Sequence, residues 1–191
     1  FELGLSTPQS LEPFWPRTRD VEDLGVLRCR NSGVLLLAST DHVTEATYRD
    51  NPGLSYWSAG RLEEAWAATE EDDLRRAEAI RGLAHGRCYV DFGCGAGGVM
   101  RQLREDAGRV VGIELQDYVR EALGAAGFET FATPGALPGD VRPSLVTMFH
   151  VLEHLPRPLD VLREIREVMA PGGTLIVEVP HARDALIERY K

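Results

Sequence analysis

Cysteine is scarce in this chain and follows no pattern. Cys29, Cys88 and Cys94 are the only three among 191 residues. An odd number without framework spacing excludes a disulfide-stapled scaffold and favours a reducing, cytoplasmic setting. Long apolar runs are also missing. No stretch approaches the roughly 20 residues of a membrane-spanning helix, so no membrane partner is expected. The first residues carry no basic n-region, and no secretory signal is expected. Positive charge is short as well. Lys and Arg number 21 against 30 Asp and Glu, a formal net charge of −9. No basic run offsets it, and such a surface repels phosphate backbones, which sets nucleic acid aside as a partner. What remains, 43% hydrophobic and 27% charged, can bury a real core as one domain with an attached segment.

Residues 89–98, YVDFGCGAGG, organise the rest. Tyr89, Val90 and Phe92 read as a short buried strand. Gly93, Gly95, Gly97 and Gly98 then make a turn that few other residues could take. Val99 and Leu103 open a helix with apolar residues at i and i+4. Strand, glycine turn and helix bring backbone N–H groups and a helix N-terminus up to a ligand. Gly93, Gly95 and Gly98 satisfy the dinucleotide fingerprint literally, which leaves a nicotinamide oxidoreductase as one reading. Asp91 argues against it. A carboxylate at the strand end repels a pyrophosphate and suits a ligand that carries an amino group and a sulfonium.

VDFGCGAGG resembles the first motif of class I S-adenosylmethionine-dependent methyltransferases, an acid followed by G-x-G-x-G. The likeness covers roughly residues 85–182 and runs through several motifs in order. It implies a Rossmann-like α/β fold with a parallel central sheet, strand order 3-2-1-4-5, and helices on both faces. The alternation of strands and helices supplies the class independently, and right-handed crossovers follow from chirality. Expected strands are 88–92, 109–113, 128–132, 145–149 and 174–179. Helices are expected over 98–106, from Asp117 to a stop at Gly127, and from the Pro156–Pro158 loop to the A-P-G-G turn at 170–173. The resemblance implies S-adenosylmethionine as cofactor, with contacts at Asp91, Gly93, Gly95, Gly97, Glu114, Leu115 and Phe149. Glu114 stands at the end of the second strand, where a carboxylate can accept from both ribose hydroxyls. Many relatives follow strand three with an acid for the adenine amino group. Here Thr133, Pro134 and Gly135 come instead, with backbone groups near Ala136 as the substitute. The family continues with two more strands and a helix, so C-terminal strands are expected to be missing at Lys191.

Residues 1–84 read as an N-terminal arm and cap, and 85–191 as the cofactor-binding core. Residues 1–20 show no period and read as an extended arm. Residues 26–30 and 33–38 read as a hairpin around Asn31-Ser32-Gly33. LRCRNSG is similar to a zinc-ribbon half that precedes the methyltransferase domain in some sugar C-methyltransferases. Only Cys29 stands where paired cysteines are needed, so a degenerate, zinc-free hairpin is expected. A short helical pattern over 41–51, a turn at Asn51-Pro52-Gly53 and a long helix over 59–83 follow. Tyr48, Tyr56 and Trp57 are candidates for a substrate entrance or for packing. The acidic run Glu70–Asp73 reads as a solvated helix face.

His150, Glu153, His154 and His181 fall at the ends of the fourth and fifth strands. H-V-L-E-H-L-P is similar to the E-x-x-E-H-hydrophobic-P stretch of ubiquinone-type and small-RNA O-methyltransferases, and a related loop occurs in sugar-pathway enzymes. In the O-methyltransferases these positions hold a divalent metal; here His150 replaces the first Glu. Three readings stay open: a metal held by His150, Glu153, His154 and His181; a general base or substrate contact at His150 or His154, with Glu153; and a structural cap. The expected acceptor is a small hydroxylated molecule such as a sugar nucleotide or glycan precursor, with a phenolic or quinone-like acceptor as the alternative. A non-catalytic adenosylmethionine-binding module is the remaining reading.

Overall fold

The computed structural model describes residues 6–18, 22–39 and 60–181. The helical pattern at 41–51, the turn at 51–53, Tyr48, Tyr56, Trp57 and the helix start after His181 lie outside these residues. The chain divides into two compact units, 1–44 with 180–191, and 45–179.

The first unit holds an antiparallel sheet of three strands, β1 (Leu11–Trp15), β2 (Val26–Cys29) and β3 (Leu35–Leu37), in that order. The hairpin forms as expected. The arm does not stay unpaired: its residues 11–15 make β1, with Glu12 opposite Arg28 and their side chains bonded at 2.6 Å. Pro13 hides this strand from a propensity reading. An edge strand tolerates it, because one side of the backbone needs no partner, and the register shifts between Pro13 and Trp15. Cys29 is fully buried. Ser6 Oγ lies 2.9 Å and Ser10 Oγ 3.3 Å from its Sγ, and the Ser32 amide donates to it at 3.4 Å. Three serines thus surround the thiol, and hydrogen bonds hold the turn.

The second unit opens on helix α1 (Leu62–Ala84), the long helix expected over 59–83. A parallel sheet follows: β4 (Cys88–Phe92), β5 (Arg109–Ile113), β6 (Glu129–Phe131), β7 (Leu145–Phe149) and β8 (Thr174–Glu178), in the spatial order β6-β5-β4-β7-β8. In chain order within the sheet this is 3-2-1-4-5. Helices α2 (Gly98–Leu103), α3 (Asp117–Ala125) and α4 (Pro158–Val168) connect the strands. Alternation along β4 explains the two cores. Tyr89 points into one cluster with Ile80, Met100 and Leu123. Val90 and Phe92 point into the other with Val111, Met148 and Ile165 of α4. Helix α1 buries Leu62, Ala65, Ala77, Ile80 and Ala84, which recur at helical spacing. It lies before residue 85 yet packs within the same compact unit as the sheet.

The buried stripe of α1 also carries Asp73. The acidic run is therefore only partly a solvated face. Glu70, Glu71 and Asp72 are exposed, but Asp73 falls one helical turn before Ala77 and is buried.

Candidate active site

Parallel pairing sets the carboxyl ends of β4, β5 and β7 side by side. Asp91 lies opposite Gly112 on β5 and Thr147 on β7, and Phe92 lies opposite Ile113. The residues that follow these strands share one edge of the sheet, the usual ligand edge of an open α/β sheet.

The glycine turn leaves β4 at Gly93. Gly93, Gly95 and Gly97 have φ of 71°, 50° and 72°, the left-handed region that glycine enters without strain. A Cβ on Gly93 would sit 2.4 Å from Val151 Cγ2, so the strand-four loop also needs that glycine. Both amides after the strand, of Gly93 and Cys94, donate to Ile113 O at 2.7 and 3.1 Å. The Gly95 amide donates to Glu114 Oε2 and the Gln116 amide to Glu114 Oε1, each at 3.0 Å. Glu114 thereby ties the end of β5 to the turn and keeps lone pairs for further donors. Leu115 lends its carbonyl to Arg120, which bonds Glu114 O as well. Helix α3 starts at Asp117 as expected: Gln116 is the cap residue, and Asp117 takes the first helical position, where it pairs with Arg120 and meets the positive helix end.

Asp91 is buried, 4% exposed. Thr147 Oγ1 donates to its Oδ1 at 2.7 Å, and Tyr89 OH lies 2.8 Å from the same threonine oxygen. Burial raises the Asp91 carboxyl to about 7, and the Thr147 hydrogen bond opposes the rise. Burial also raises Asp73, against a 2.6 Å bond from Thr69. Among the described residues neither Asp91 nor Glu114 forms an ion pair.

Two residues of α1 fix the turn and were not legible as site residues. Trp66 Nε1 donates to Ala96 O at 2.6 Å. Asp73 packs on Gly98 so closely that a Cβ there would fall 1.8 Å from Asp73 Oδ2. Gly98→Ala is therefore expected to lower stability by about 1–3 kcal/mol, the usual range for overpacking a tight site. Urea melts check this: the midpoint should fall with an unchanged slope.

Beyond β7, His150 has φ 54°, the left-handed exception among described non-glycine residues. Such a turn costs about 1–3 kcal/mol unless the surroundings hold it. They do. The His150 amide donates to Glu178 O at 2.9 Å, Nδ1 lies 3.3 Å from Glu153 Oε1, and Nε2 lies 3.2 Å from Glu178 Oε1. His154 Nε2 is 3.9 Å from Glu153 Oε1. His150, Glu153 and His154 thus come together, and Glu178, which sequence reasoning did not single out, joins them from β8. His181 falls in the other compact unit. Among the described residues no group of three or more His, Cys, Asp or Glu could hold a metal ion. Pro134–Ala136 forms one 3-10 turn after β6.

A family model described as a methyltransferase domain matches residues 59–191. No curated protein gives a significant match. Solved structures share the fold. One is a DhpI–SAH complex, 23% identical, with TM-score 0.53 over 75% of this chain and 72% of that one. Another is a complex of the Haloferax volcanii Trm112 methyltransferase activator with a methyltransferase, 22% identical, TM-score 0.52, covering 65% and 58%. A third is the sugar N-methyltransferase KedS8 from a Streptoalloteichus species, 17% identical, TM-score 0.54, covering 64% and 55%. The chain spans little more than half the length of the last two. No helix among the described residues is long and apolar enough to cross a membrane.

Proposed function

The chain belongs to the methyltransferase-domain family, and from that premise we propose that it binds S-adenosylmethionine at the Asp91–Glu114 edge and methylates a small hydroxylated acceptor. One observation carries the reading. Two carboxylates without ion-pair partners among the described residues flank a glycine turn at adjacent strand ends. Those acceptors fit a cation bearing ribose hydroxyls, and Asp91 opposes a pyrophosphate. The cofactor supplies an electrophilic methyl group on a sulfonium, so the protein's work is mainly alignment. Glu114 accepts hydrogen bonds from hydroxyls. Asp91, once ionised, faces the amino end. Gly93, Gly95 and Gly97 admit close backbone approach, while Leu115 and Phe149 bound the site at the ends of β5 and β7. His150 takes the acceptor's hydroxyl proton on Nε2 while Glu153 holds Nδ1–H. His154 and Glu153 complete the polar loop. The likeness of H-V-L-E-H-L-P to sugar-pathway loops favours a sugar nucleotide or glycan precursor as acceptor, and the −9 charge sets an RNA acceptor aside.

Asp91 gives this reading a pH signature. Its carboxyl sits at about 7 in the free protein, so it is largely protonated below that pH. Between its ordinary value and 7 the folded state binds more protons than the unfolded state, and stability falls as pH rises. A cationic ligand reverses the preference and expels the proton. S-adenosylmethionine affinity should therefore fall up to about tenfold per pH unit below 7 and level off above it. Thr147→Val removes the bond that favours the ionised form, and the acid limb should move to higher pH. Asp91→Asn should abolish the limb. Calorimetric titrations across about pH 5.5–8.5 read all three; a flat wild-type profile would count against the assignment.

A further inference from the structure

Beside the strand-four loop, α1 and the end of β8 border an open pocket of about 400 Å³, lined by Arg75, Arg76, Ile80, Phe149, Ile176 and Glu178 among others. Its charged side is unusual. Two guanidiniums from successive helical residues converge on one carboxylate. Arg76 gives Nε and Nη2 to Glu178 Oε1 at 2.9 and 2.7 Å. Arg75 reaches both Glu178 oxygens through Nη1 and Nη2 at 3.2–3.3 Å, and turns its Nε to Asp72 at 3.2 Å. Among the described residues Arg76 Nη1 has no acceptor. Burial pushes the Glu178 carboxyl up, but the bonds from Arg75 and Arg76 outweigh it and hold it below the usual range. Arg76 also stacks over Phe149, with Cζ 5.3 Å from the ring centroid.

We infer that Arg75 and Arg76 form an anion subsite for the acceptor, one that takes a phosphate or diphosphate group, with Glu178 as its internal competitor. The inference rests on the methyltransfer reading above and names the acceptor's second feature, a negative charge beside its hydroxyl. Three points carry it. First, Arg76 Nη1 has no acceptor among the described residues, so the paired guanidiniums keep an N–H donor for an incoming anion even with Glu178 and Asp72 in place. Second, planar guanidinium forks match phosphate oxygens, and Arg75, whose side chain is 55% exposed, can swing without disturbing the core. Third, the place is right. Phe149 and Glu178 pair across β7 and β8, and His150 follows Phe149 directly. An anion held by the arginines would put the attached hydroxylated group beside the His150 imidazole. Glu178 contacts both the arginines and His150 Nε2, so an incoming anion that shares the arginines would loosen Glu178 from the base.

Inorganic pyrophosphate is the probe, titrated into the protein with and without S-adenosylhomocysteine and followed by calorimetry and by NMR shifts of arginine side-chain resonances. Saturable binding is expected, with Arg75→Gln weakening it about tenfold and Glu178→Gln tightening it at least threefold, since the competitor's charge is gone. Raising salt should weaken binding in the wild type. Arg75 is exposed and Glu178→Gln is isosteric, so both variants keep the fold, which urea melts verify. No saturable pyrophosphate binding, or Arg75→Gln and Glu178→Gln titrating like the wild type, overturns the subsite. S-adenosylhomocysteine binding that fails while pyrophosphate still binds overturns the methyltransfer reading instead and leaves the anion site standing.

Discussion

His150→Asn should lower kcat by about 10²- to 10⁴-fold, the range that a positioned general base supplies, while S-adenosylmethionine affinity stays within about twofold. Asparagine is the right replacement because position 150 has φ 54°, a conformation that asparagine tolerates better than alanine. The loop then keeps its path, and the loss reads out the imidazole alone. His150 is held at the amide by Glu178 O and at both ring nitrogens by carboxylates. Glu153 at Nδ1 stabilises the imidazolium that forms once Glu178 has left Nε2 and Nε2 takes the acceptor's proton. His154 Nε2 stands 3.9 Å from Glu153 Oε1, beyond hydrogen-bond reach, and His154→Ala should cost far less. A pre-steady-state assay on the true acceptor separates the chemical step from release. Full activity in His150→Asn would make the loop structural.

Glu114→Ala should weaken S-adenosylmethionine binding by about 2–3 kcal/mol, roughly 30- to 150-fold, from the loss of charge-assisted hydrogen bonds to hydroxyls. Part of the loss is indirect. Glu114 also accepts the Gly95 and Gln116 amides, and both lose their partner in the alanine variant. Glu114→Gln separates the contributions: it keeps one acceptor oxygen and should retain an intermediate affinity. Calorimetry on both variants checks this at a pH well above 7, where Asp91 is ionised and contributes equally.

The glycine turn, the acid before it and Glu114 were legible because each is local. A strand end, a turn that needs positive φ and a carboxylate after the next strand all leave marks at fixed spacing. The sheet order followed from the family likeness, and the register then carried Asp91, Glu114 and Phe149 to one edge. What stayed hidden depends on contacts distant in the chain. Thr147 reads as one more residue in an apolar strand, and only the β4–β7 register puts its hydroxyl on Asp91. Asp73 sits in an acidic run whose other members are exposed, and its burial follows from the close approach of α1 to Gly98. Glu178 ends a strand without any motif. Strand β1 carries a proline and no alternation, so its pairing with β2 could not be read from its own residues. Ser6, Ser10 and Ser32 look like loop serines until the hairpin closes on Cys29.

The most direct test compares two nucleotides on the wild-type protein. S-adenosylmethionine and NAD are titrated separately at about pH 8, where Asp91 is ionised. The acid-flanked turn should bind S-adenosylmethionine saturably at one site, and NAD should not displace it there, because Asp91 repels the pyrophosphate. Saturable NAD binding with no S-adenosylmethionine binding would contradict the assignment and return the glycine turn to the dinucleotide reading.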